Sequence, residues 1–204
     1  MKNFFGHFIS IVFQPLFLPL YGTLYIIYSN PYMFPDKFEN YQNILRIALN
    51  TFFFPAVIVL LLYKLKFVKG VNLKNRQDRI IPYVAAMMCY IWTFYVYYHE
   101  QLNPTITFIL LGSCISIFLA FMINTLVMKV SMHTTGGGGL VAMMLILIPF
   151  SYFNPLLIFI ISILVAGAIG SARLALHAHT TREVYYGYLI GFFSFMIATN
   201  LYPL

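Results

Sequence analysis

Residues 106–128 read ITFILLGSCISIFLAFMINTLVM, a run with no charged side chain in it. A helix on a soluble protein keeps a charged or polar face toward water. This run has none, and it is as long as the roughly 20 apolar residues that a helix needs to cross the hydrocarbon of a bilayer. Outward from it, residues 4–28 and 80–98 are runs of the same kind, and 44–63 is another that carries a single charge, Arg46. The pattern then changes. Residues 136–153 form a short run opened by four glycines, and 156–176 follow after only the Asn154-Pro155 turn, which predicts a tight helical hairpin. Residues 185–201 make a last span. The expectation is an all-α, polytopic membrane bundle of seven helices, or of six if the first run, interrupted by Gln14, Pro15 and Pro19, does not cross.

Composition agrees. Of 204 residues, 61% are hydrophobic and 8% charged, against about a quarter charged in an ordinary soluble domain. That excludes soluble enzymes, disordered tails and fibrous repeats. The apolar runs are continuous and lack the two-residue alternation of a lipid-facing strand, which disfavours an outer-membrane barrel. Cys89 and Cys114 both lie inside apolar runs and read as small hydrophobes. The segment after Lys2 has no small-residue cleavage pattern, and no repeat or linker divides the chain, so a single domain over 1–204 is expected.

With so few polar groups, their placement carries the information, because ionisable groups at a bilayer's edge are costly and tend to be functional. They collect in three clusters: KLKFVKGVNLKNRQDR at 64–79, KVSMHTTGGGG at 129–139 and RLALHAHTTRE at 173–183. Two spans separate each from the next, so all three emerge on one side of the membrane. Together they offer Lys74, Arg76, Arg79, Arg173 and Arg182 as cations, His133, His177 and His179 as imidazoles, and Glu183 as a carboxylate. Such a set suits a phosphoryl group: cations and backbone N–H groups neutralise its oxygens, one histidine attacks phosphorus and another protonates the leaving oxygen. Gly136 to Gly139 could close backbone amides on an anion, or could mark a close helix crossing. His179 and Glu183 stand four residues apart, one helical turn, as an imidazole and its orienting carboxylate would. His7 and His99 read as structural or interfacial.

The third cluster, continued as ARLALHAHTTREVYYGYLIG, resembles the third signature of the type 2 phosphatidic acid phosphatase superfamily, with Arg173, His179 and Glu183 on its arginine, histidine and acid. SMHTTG resembles that family's Ser-Gly-His element through Ser131 and His133. KNRQDRIIP resembles a compressed form of its first signature through Lys74, Arg79 and Pro82. This sequence departs from the pattern in placing glutamate where the family has aspartate, Val130 for a proline, Met132 for a glycine, and two apparent spans between the first and second signatures.

The resemblance implies a metal-independent lipid phosphatase that needs no cofactor. In it His179 is the nucleophile, Glu183 fixes its tautomer and His133 is the general acid and then base. Lys74, Arg79, Arg173, Ser131 and the amides near Gly136 hold phosphate. The implied partners are a lipid phosphate and membrane lipids, with no nucleic acid. The implied location is a bacterial inner membrane with the site on its periplasmic face, although the positive-inside rule, applied to Lys2, Lys64, Lys66, Lys69, Arg76, Lys129 and Arg182 against Lys37 and Arg46, favours the cytoplasmic face. Two other classes fit the residues: a zinc hydrolase using His133, His177, His179 and Glu183 or Asp78, and a non-catalytic lipid-binding, transport or haem-carrying protein.

Overall fold

The computed structural model describes residues 2–66 and 80–204, and among these there is no strand. Every apolar run has become helical, because a backbone in hydrocarbon can satisfy its N–H and C=O groups only within itself. The first run is broken into α1 (Lys2–Val12) and α2 (Leu18–Ser29) by a 3-10 turn, Pro15–Phe17. Pro15 and Pro19 each stand in the first turn of their element, where a missing N–H removes no helical bond.

The second run starts earlier than its apolar content suggests. Asp36 caps α3 (Lys37–Ile47), accepting from the amides of Phe38 at 2.8 Å and Glu39 at 3.4 Å. A wide π turn, Ala48–Phe53, then leads into α4 (Phe54–Lys64). Pro55 accounts for it: proline offers no N–H to the carbonyl one turn back and its ring pushes that carbonyl away.

The remaining helices are α5 (Ile80–His99), α6 (Pro104–Leu126), α7 (Met132–Ile146), α8 (Pro155–Ala175) and α9 (Thr181–Leu201). Asn154, with φ of 33°, supplies the left-handed residue that the α7–α8 hairpin needs.

Among the described residues, six helical segments are long and apolar enough to cross a membrane, and the first run, Phe4–Ser29, is one of them. The segment outside that set is α7, at about 1.5 Å per residue only about 22 Å long. It nevertheless runs from one end of the bundle to the other. At its start the Ser131 amide donates to the Glu183 carbonyl, at 3.3 Å, at the head of α9. Past its end, the Phe150 carbonyl accepts from Asn30 Nδ2 at 2.8 Å and the Tyr152 amide donates to Ser29 at 3.0 Å, at the foot of α2. A 3-10 turn, Ile148–Phe150, covers the remaining distance. The same opposite end holds the Tyr97 Oη to Asn43 Oδ1 bond, 2.8 Å, and the exposed His99–Glu100 pair.

Because lipid tails are as apolar as leucine, helices in a membrane associate through close packing and not through hydrophobic exclusion. Here α7 and α9 form the closest crossing. A Cβ on Gly138 would overlap the Tyr188 carbonyl, and one on Gly191 would overlap the Thr135 carbonyl. Phe108, Ile109, Met143 and Phe195 fill the space around this pair and are fully buried. By contrast α8 turns Leu156, Leu157, Ile160 and Leu164 outward, where lipid solvates them.

Candidate active site

The crossing of α7 and α9 brings their N-termini to one end of the bundle. Each helix starts on a capping side chain: Ser131 Oγ accepts from the Thr134 amide at 3.5 Å, and Thr180 Oγ1 from the Glu183 amide at 3.4 Å. Thr180-x-x-Glu183 is a capping-box pattern, in which the glutamate usually reaches back to the cap's own amide. Its carboxylate instead meets His179, with Nδ1 2.5 Å from Oε2. An ionised carboxylate only accepts, so Nδ1 carries the proton of this bond. His179 is buried, its side chain 3% exposed.

The α8–α9 turn presents this histidine. The His177 amide donates to the Leu174 carbonyl at 3.0 Å and the Ala178 amide to the Arg173 carbonyl at 3.1 Å, with His177 at φ 49°. This is the pair of bonds that closes a helix C-terminus on a left-handed residue. His177 is therefore the exposed residue of the turn. Among the described residues, no three of His, Cys, Asp and Glu gather as a metal site would require.

Lys129 is the residue that sequence reasoning passed over. Its Nζ donates to the Ala178 carbonyl at 3.1 Å and lies 4.0 Å from Glu183 Oε2, tying the α6–α7 connection to both the turn and the carboxylate. The available signal was its place as the one cation of the 129–139 cluster.

A second group of contacts adjoins the first. His133, in the first turn of α7, has Nε2 3.0 Å from the Ser10 carbonyl, and Arg173 Nη1 donates to Ser10 Oγ at 3.0 Å. A carbonyl can only accept, so His133 Nε2 bears the proton. The general acid and the phosphate-binding arginine expected from the sequence thus meet on one residue of α1.

Ser131 and Gly136 are placed differently. Ser131 is fully buried, its carbonyl taking the hydroxyls of Thr134 at 3.0 Å and Thr135 at 3.1 Å. Gly136 lies in the second turn of α7, beyond the amides that a helix leaves unused, and its Cβ would sit 3.2 Å from that of Pro15. Lys74 and Arg79, with Arg76 and Asp78, lie outside the described residues. Arg182 is exposed.

Two helix N-termini carry partial positive charge into this end of the bundle, where Lys129 and Arg173 add full charges. Comparison of the chain with models of protein families, with curated proteins and with solved structures gives no match. Fold and composition define the class: an all-α integral membrane protein with a polar site at one end of its bundle.

Proposed function

We propose that this protein is a membrane lipid phosphatase working through a phosphohistidine. The observation that carries the reading is the buried His179–Glu183 pair, in which the carboxylate fixes Nδ1 and Nε2 serves as the nucleophile. His179 Nε2 attacks phosphorus and the bond to the lipid oxygen breaks, while His133 Nε2–H gives its proton to that oxygen. His133 then takes a proton from water, which attacks phosphorus, breaks the P–N bond and frees inorganic phosphate. Arg173, with Lys74, Arg79 and the first-turn amides of α7, balances the charge of the transferring group. A tail held in lipid and a headgroup at the bundle's end suit phosphatidic acid, phosphatidylglycerol phosphate, a lipid A phosphate or a polyprenyl diphosphate. In a bacterial inner membrane the site faces the periplasm.

The test is phosphate release by purified protein from a panel of these lipids. Release that survives EDTA and yields to vanadate is expected; loss with EDTA would turn the reading toward a metal enzyme.

Lys129 in this scheme is a positioning residue, acting through Glu183. Lys129→Met is expected to lower kcat about ten- to hundredfold through a misplaced imidazole, with KM moving less than about threefold. A raised KM at unchanged kcat would instead make Lys129 a phosphate ligand.

A further inference from the structure

We propose that α1 is the gate of this site, closed here because Ser10 occupies the places of two phosphate oxygens, and that the helix swings aside in the membrane to admit an organic or inorganic phosphate. The inference rests on the phosphate reading above and concerns what holds that site shut.

Ser10 is engaged by the two groups that a phosphate needs. Its carbonyl oxygen takes the His133 Nε2 proton at 3.0 Å, as a leaving oxygen would, and its Oγ takes Arg173 Nη1 at 3.0 Å, as a non-bridging oxygen would. The hydroxyl proton goes to the Gly6 carbonyl at 2.8 Å, which leaves Oγ facing the guanidinium as an acceptor. His179 is itself almost wholly covered, its side chain 3% exposed. A nucleophile so buried cannot meet a headgroup until something moves.

The attachment of α1 suits it to be the moving part. It docks through a narrow face, Gly6 and Ser10, one turn apart; the Cβ position at Gly6 lies 2.9 Å from Leu176 Cγ, so the helix sits flush on the end of α8. Its other face, Phe4, Phe5, Phe8 and Ile11, is 58% to 72% exposed and apolar, so in a membrane it faces lipid and can shift without uncovering apolar surface to water. A joint follows it. The helix ends at Val12, Gln14 is extended at φ −61° and ψ 129°, and Pro15 has no N–H to carry a helical bond across. A small cavity lined by Pro15, Leu16, Tyr90, Ser113, Ser116 and Thr135 adjoins this joint.

The exchange has a driving force. At Ser10 the His133 and Arg173 donors meet uncharged oxygens, whereas a phosphate brings full negative charge to the same two donors. A ligand that binds only the open form shifts the population toward it, and its apparent affinity falls by the fraction of chains that are open.

The test locks the gate. In a chain with Cys89 and Cys114 replaced by alanine, Gly6→Cys with Leu176→Cys puts a sulfur where Leu176 Cγ now stands, within disulfide reach of position 6. Orthovanadate binding is measured by calorimetry on one sample, oxidised and then reduced, so that folding is the same in both states. Binding about tenfold weaker when oxidised, and restored by reductant, is expected. Ser10→Ala, which removes the Arg173 clasp, is expected to tighten vanadate binding about threefold.

A second arm separates the sources of phosphate. Spin labels at Ile11→Cys and Leu174→Cys are expected to move apart in nanodiscs containing phosphatidic acid and with free phosphate, but not in phosphatidylcholine alone. Equal vanadate affinity in the locked and reduced states overturns the gate while leaving phosphatase activity to stand. Absence of vanadate binding in the reduced chain and in Ser10→Ala overturns it as well, since Ser10 would then hold no anion's place. A gate that responds in a protein releasing no phosphate from any lipid upholds this inference and removes the hydrolytic one.

Discussion

His179→Ala is expected to lower phosphate release from the best lipid substrate by about 10⁴-fold or more, the scale of losing a covalent nucleophile. The expectation comes from geometry. Glu183 Oε2 lies 2.5 Å from Nδ1, which puts the proton there; in the proposed scheme Nε2 is then the attacking atom, alanine offers none, and His133 is assigned to proton transfer. The variant should fold, because α9 is capped by Thr180 and Glu183 keeps Lys129 beside it at 4.0 Å. Glu183→Gln keeps a hydrogen-bonding group of the same length but removes the charge that favours a protonated Nδ1 during attack. Its expected loss is smaller, about 10²- to 10⁴-fold. Rapid quenching with radiolabelled lipid phosphate gives the direct readout: label on the wild-type chain that survives alkali and is lost in acid, and none on His179→Ala. A folded His179→Ala protein within tenfold of wild-type activity would sink the phosphohistidine scheme.

The fold was legible because the bilayer simplifies the code. Runs of about 20 residues with at most one charge have few alternatives to a spanning helix, so four spans, the Asn154-Pro155 hairpin and the last helix could be read directly. The same logic blurred the rest. Hydropathy sees neither the Pro55-driven π turn nor the Asp36 cap, so α3 starts earlier than its apolar content indicates. It also ranks helices by length, whereas α7, short and glycine-rich, is placed at the centre by its close packing on α9.

In the site, the His179–Glu183 pair was readable because a spacing of four is local, fixed by one helical turn. Ser10 and Lys129 were not. Their roles depend on contacts with residues 123 and 163 positions away for Ser10, and 49 away for Lys129, and neither residue type is distinctive. The four glycines had two readings at sequence level, anion cradle or helix crossing. The packing of Gly138 against the Tyr188 carbonyl supplies the second.

That crossing makes the largest expected change in stability. Gly138→Ala and Gly191→Ala each place a methyl group into a backbone carbonyl of the facing helix, Tyr188 and Thr135 respectively. A flexible side chain could rotate away from such a methyl, but a carbonyl inside a helix can move only with its helix. The two helices must separate, and the packing around Phe195 and Met143 is lost with them. Overpacking of a tight interior costs about 1–3 kcal/mol, and against backbone the upper end or beyond is expected. For a chain of this size that is a fall in Tm of about 6–12 °C. Gly167→Ala is the control: nothing lies within 4 Å of its Cβ position, and alanine in a helix is favoured over glycine by up to about 1 kcal/mol. It should therefore be neutral or stabilising by thermal unfolding in the same detergent. Function should follow stability at the two crossing positions, because the Ser131 amide reaches the Glu183 carbonyl only while α7 and α9 stay close. If Gly138→Ala unfolds with the wild-type midpoint, the helices do not cross as closely as described, and the link between the glycine run and the site's geometry fails with it.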